Sequence, residues 1–207
     1  MSIRQALKED AQFYRKLKFG ERAAGLRAWL VWLTSTGLFL LAMHRAANAF
    51  QKLRAAQKNP IKRAALRVLL TTTRPLVLFR GKSDISGATL IAPGVYLSDR
   101  GQLVIGARSI GTGTIIHHAV TIGMSTMNHG TPQIGANVWI GPDCVVYGNI
   151  EIGDGATLLP GTVLSKSIPP RCVVKGNPGR VMEMGFDNSS LRSTLRWDVE
   201  MPKLKSS

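Results

Sequence analysis

Cysteine is nearly absent from this chain. Cys144 and Cys172 stand alone, without CxxC spacing, which excludes a disulfide framework and a cysteine-built zinc cluster and suits a reducing, cytoplasmic setting. Aromatic residues are also scarce, at 6% against 44% hydrophobic, so the core must be aliphatic. No stretch interleaves aromatic with basic residues, and nucleic acid is excluded as the expected partner. The apolar run Ala28–Met43 falls short of a span of about 20 residues and carries Thr34, Ser35, Thr36 and Gly37. It reads as part of a buried helix pair, ahead of an interfacial membrane anchor or a true span. The charged stretch before it is too long for a secretory leader, and no small-residue cleavage site follows.

Acidic residues are few, 12 against 27 lysines and arginines, and the imbalance is local. Residues 1–82 hold 17 basic and 3 acidic residues, a balance of +14; residues 83–207 hold 10 and 9, a balance of +1. The basic segment is suited to an anionic partner, including peripheral contact with an anionic membrane surface. Three- and four-residue spacing of apolar positions predicts helices over 3–19 and 21–56, with a further helix at about 61–72 after Pro60. The domain reading is 1–82 basic and helical, 83–181 repetitive, and 182–207 a tail with a short helix at 189–198.

What fills the middle of the chain is a period of six. Ile85, Ile91, Leu97, then Ile110, Ile116, Ile122, then Ile134, Ile140, Val146, Ile152, Leu158 and Leu164 recur at that spacing. A helix repeats at 3.6 residues and a strand at 2, so neither explains it. A coil of short strands does, each side sending one aliphatic side chain inward and turning at a permissive residue such as Gly111, Gly123, Gly135, Gly141 or Gly153. Three sides make eighteen residues, so residues eighteen apart stack. The fold expected is mainly β, a left-handed parallel β-helix with an N-terminal α-helical segment. Cys144 falls on the same hexad position as Val138, Ile150 and Ala156 and reads as a buried thiol. The period reads as interrupted once, where Ile122 and Ile134 are twelve residues apart and a loop, 124–132, must leave the coil.

Three of the four histidines cluster at that interruption: His117 and His118 before it and His129 inside it. A neutral imidazole can take the proton of a hydroxyl attacking a thioester, and backbone N–H groups at glycine corners can meet the oxyanion. Adjacent histidines on an extended strand point apart, so a metal site would need His129 or another subunit, and no metal is expected.

The blocks IHHAVTIG (116–123), IGANVWIG (134–141), GNIEIGDGATLLPGTVLSKSIPP (148–170) and VVKGNPGRV (173–181) resemble the hexapeptide-repeat acyltransferases. Within that superfamily the chain is most similar to the serine acetyltransferase-like branch, which includes colanic acid and capsule polysaccharide O-acetyltransferases. LLAMHRAANAF (40–50) is similar to that branch's helical segment. The resemblance implies acetyl-CoA as donor, a homotrimer, and sites in clefts between subunits. It maps the general base onto His118, with His117 in reserve, and places Trp139 beside the acceptor. It assigns Ser165, Lys166 and Arg180 to CoA, with Gly123 and Gly141 at the coil corners. Serine acetyltransferases carry an Asp-His pair after the third coil side and Arg-His-Pro in the loop. This chain reads Leu97-Ser98-Asp99-Arg100-Gly101 and Gly130-Thr131-Pro132 there, while Asp84 keeps the preceding Asp-Ile. Asp99 becomes the candidate to orient His118, and His129 helps shape the acceptor site. The missing histidine turns the expectation to a sugar hydroxyl of a surface polysaccharide or its precursor, with serine O-acetylation for cysteine biosynthesis as the alternative.

Overall fold

The computed structural model describes residues 2–20, 31–32, 34–56, 83–126 and 129–195. The expected helix at 61–72 and the first part of the one at 21–56 lie outside them. From Asp84 onward the chain winds as a three-sided parallel β-helix. Sheet A stacks β1 (Asp84–Ile85), β4 (Leu103–Ile105), β7 (Val120–Gly123), β10 (Val145–Tyr147) and β13 (Val163–Leu164). Sheet B stacks β2 (Leu90–Ile91), β5 (Ser109–Ile110), β8 (Gln133–Ile134) and β11 (Glu151–Ile152). Sheet C stacks β3 (Tyr96–Leu97), β6 (Ile115–Ile116), β9 (Trp139–Ile140), β12 (Thr157–Leu158) and β14 (Cys172–Lys175), and β15 (Arg180–Met184) closes it antiparallel.

The six-residue period is the inward ladder of these sheets. Ile105, Ile122, Val146 and Leu164 stack in sheet A; Ile91, Ile110, Ile134 and Ile152 in sheet B; Leu97, Ile116, Ile140, Leu158 and Val174 in sheet C. All are buried, and each contributes about 1.5–3 kcal/mol by leaving water. Strands only two to four residues long hold because every rung repeats the one beneath it.

The period is broken twice, not once. Val145 pairs with Thr121, so the loop adds six residues to the eighteen of one coil. Higher up, Asp84 pairs with Val104 and Val104 with Thr121; twenty residues lie in one step and seventeen in the next. Inward side chains must stay stacked, so extra residues go to a corner, here Ser98–Gln102 between β3 and β4.

Helices α1 (Ile3–Phe19) and α2 (Thr36–Ala56) cap the first coil. Among the described residues no strand lies above the upper edges of β2 and β3, and an open edge leaves backbone groups to be satisfied. Tyr14 answers Leu97 on both counts: its hydroxyl donates to the Leu97 carbonyl and accepts from the Leu97 N–H, each at 2.8 Å. Arg45 donates to the carbonyls of Ile91 and Ala92, both at 3.0 Å, and pairs with buried Asp10 at 2.6 Å. Asp10 in turn accepts the Gly94 N–H at 2.9 Å. Gly37 touches β3 so closely that a Cβ there would overlap the Leu97 carbonyl oxygen.

Part of the run 28–43 is thus core: Val31, Leu38 and Leu41 are buried in the same cluster as the coil ladder. No described helix is long and apolar enough to cross a membrane. At the other end the chain is more regular than expected, since β15 extends past Val181 to Met184. Helix α3 (Ser189–Arg192) covers the first turn of the expected 189–198, of which 196–198 lie outside the described residues. Asn188 ties this tail to the coil by donating to the carbonyls of Asn137 and Gly155, both at 3.0 Å.

Candidate active site

His117 and His118 occupy the corner where sheet C hands over to sheet A, between β6 and β7. Ile116 points inward, and the next two residues divide the outside between them. His117 is buried, 3% exposed, and its ring lies against Trp139 at 4.9 Å between centroids, tilted by 59°. Burial, with the adjacent His118 adding to it, pulls its pKa down to about 4, so the ring is neutral near pH 7. His118 is half-buried. Ala119 then turns the corner at φ 57°, an uncommon setting for a residue with a Cβ that is neither Asn nor Asp.

Trp139 stands on the outer face of sheet C, in register with Ile115 above and Thr157 below. All three are buried. The nitrogens His117 Nε2 and Trp139 Nε1 and the hydroxyl of Thr157 find no hydrogen-bond partner among the described residues. Three unmet polar atoms side by side make this patch polar enough for ordered water.

The bulged corner Ser98–Gln102 lies one coil above the histidines. Gly101, at φ 70°, sits against His118: a Cβ added to it would come within 2.9 Å of the His118 Cβ. Asp99, the candidate to orient His118, directs its carboxylate to the helical cap. Oδ1 accepts the Gly37 N–H at 2.9 Å, and Oδ2 pairs with Lys18. Asp84 is exposed on β1.

The histidines that cluster in sequence are separated in space. The loop leaves at the other end of β7, at the corner between sheets A and B. His118 precedes β7 and His129 follows it, next to Gly130 at the second corner. At that second corner Gly130 packs on the Asn149 side chain, and Arg108 donates to Asn149 Oδ1 at 2.8 Å. Ser165 and exposed Lys166 continue the same corner two coils below the loop. The turn before Arg180 abuts β13, with Gly179 N–H donating to the Val163 carbonyl at 2.7 Å. Ser165, Lys166 and Arg180 are thus gathered toward sheet A, with Gly123 at the root of the loop. The Gly141 N–H already donates to the Leu158 carbonyl at 2.9 Å, so it is committed to the ladder and not to an oxyanion.

Residues 131–166 match the family described as bacterial transferase hexapeptide (six repeats). The coil is that of the hexapeptide-repeat transferases. Over 104 residues the chain is 36% identical to serine acetyltransferase 2 of Arabidopsis thaliana, covering 49% of this chain and 32% of that one. The fold is shared with solved serine acetyltransferases: that of Vibrio cholerae at TM-score 0.74 and 23% identity, covering 95% and 71% of the two chains; and that of Brucella abortus in complex with coenzyme A at TM-score 0.68 and 23% identity, covering 88% and 69%. The chain spans 27% to 44% of the length of the curated relatives it matches.

These relatives overturn the sugar-hydroxyl reading, which rested on one missing histidine. The segment where that histidine was sought, 97–101, holds the bulged corner, in which Asp99 contacts the helical cap. The alternative, serine, is the better supported.

Gly101, Thr157 and Asn149 were not singled out from sequence. For Gly101 a signal existed: Leu97 and Ile110 are thirteen residues apart where the period demands twelve.

Proposed function

We propose that this chain transfers an acetyl group from acetyl-CoA to the side-chain hydroxyl of serine. The observation that carries the reading is the His117–His118 corner, where one ring is buried and held neutral and the next reaches the surface of a hexapeptide-repeat coil. His118 accepts the hydroxyl proton as the serine oxygen attacks the thioester carbonyl. The tetrahedral intermediate then expels the CoA thiolate, which takes the proton back from His118. His117, stacked on Trp139, supports the corner and stays uncharged.

Both substrates meet in a cleft between subunits of a homotrimer. A threefold contact is heterologous, so it sets the His118 corner of one subunit against the loop corner of the next. That neighbour supplies His129 toward the acceptor and Ser165, Lys166 and Arg180 toward the CoA phosphates, for which cations are suited. Asp84 lines the acceptor side. Residues 83–181 form the catalytic unit, and the basic N-terminal segment 1–82 offers a salt-sensitive contact to an anionic membrane. A cytoplasmic location agrees with the two free thiols.

The test is release of free CoA thiol from acetyl-CoA with and without L-serine. Serine-dependent release is expected in the parent, and His118→Ala should lower kcat by roughly 10²–10⁴-fold. No serine-dependent release in the parent, or a His118→Ala rate equal to the parent's, would sink the proposal.

A further inference from the structure

We infer that Asp99 and Gly101 are positioning residues through which the helical cap sets the place of His118. The inference rests on the assignment of His118 above. Four contacts make one path. Lys18 of α1 pairs with the Asp99 carboxylate, and the N–H of Gly37, in the first turn of α2, donates to Asp99 Oδ1 at 2.9 Å. Tyr14 clamps the N–H and the carbonyl of Leu97, two residues before Asp99. Gly101, two residues after it, rests on His118 with no room for a Cβ.

The corner is therefore held from above by two helices and presses on the base below. Its surplus explains why it can do both, since apart from the 124–132 loop the other corners between β1 and β13 have only three or four residues, as at 117–119 between β6 and β7. The left-handed backbone at Gly101 and the close contact it makes both require glycine. An alanine would have to move His118, its own corner, or both. Asp99 anchors the corner to the cap through the Gly37 N–H and Lys18.

The test uses the full chain and two readouts. The first is the His118 side-chain resonance in selectively labelled protein, read without any substrate, with His117 as the internal reference. The second is the division of serine-dependent thiol release into kcat and KM. Gly101→Ala should move the His118 resonance and lower kcat by roughly 10- to 100-fold, the scale of a small misplacement of a catalytic group, with KM for acetyl-CoA nearly unchanged. Asp99→Ala should act in the same direction, and Asp99→Asn, which keeps an oxygen for the Gly37 N–H, should recover most of the loss. Where Gly101→Ala fails to fold, Lys18→Met removes only the ion pair and should give a smaller shift of the same resonance. A His118 resonance that stays in place in a folded Gly101→Ala or Asp99→Ala variant overturns the inference. A parent without serine-dependent release would instead overturn the assigned reaction, and the resonance arm would still judge the clamp.

Discussion

At the scale of single residues, the two adjacent histidines differ by environment alone. His117 lies against Trp139 out of water, and burial holds its pKa near 4. Its folded pKa lies below the 6.5 of an exposed histidine, so the unfolded chain binds the proton first as the pH falls. Stability linked to His117 is thus complete above about pH 6.5 and is lost progressively down to about pH 4. The shift corresponds to roughly 3 kcal/mol. Thermal melts between pH 7 and 4 should show a steeper loss in the parent than in His117→Asn, and parallel slopes would refute the assignment of that loss to this ring. Cys144 is governed by the same burial, which pushes its thiol up to about 12. The Sγ donates to the Leu159 carbonyl at 3.2 Å, so slow reaction with alkylating reagents in the folded protein is expected.

At the scale of elements, the cap substitutes side-chain groups for a missing strand. Tyr14→Phe removes one hydroxyl that serves both backbone groups of Leu97. Leaving those groups unmet in a buried edge should cost about 2–4 kcal/mol, measurable as a shift in the midpoint of denaturant unfolding. A change below about 0.5 kcal/mol would mean that the edge is satisfied in another way. The charge of the N-terminal segment takes on a second meaning here. Lys18 and Arg45, two of its basic residues, are spent on Asp99, Asp10 and coil carbonyls, so part of the basicity is structural.

At the scale of the whole molecule, the proposed cleft sets His118 of one subunit against Lys166 of the next, so the oligomer is the unit to test. Light scattering is expected to give the mass of a trimer. Mixing inactive His118→Ala and Lys166→Ala subunits should restore activity in roughly one cleft in four, since a heterologous contact draws its two halves from different copies. A monomeric mass, or no recovery on mixing subunits that exchange freely, would place both halves of the site within one chain and end the trimer-cleft proposal.

The coil was legible in sequence because its cause is local: one inward aliphatic residue per six, repeated from Ile85 to Leu164, leaves little other way to bury that stripe. The pairing of His117 with His118 at a corner was legible for the same reason, since Ile116 gives the phase. Tertiary structure alone decided which of the two rings is buried, because Trp139 lies twenty-two residues from His117 and meets it only when coils stack. It also decided that Asp99 faces the cap and that Gly101 presses on His118. Sequence spacing records distance along the chain, and in a coil the neighbours above and below, set by register across whole turns, determine what each side chain touches.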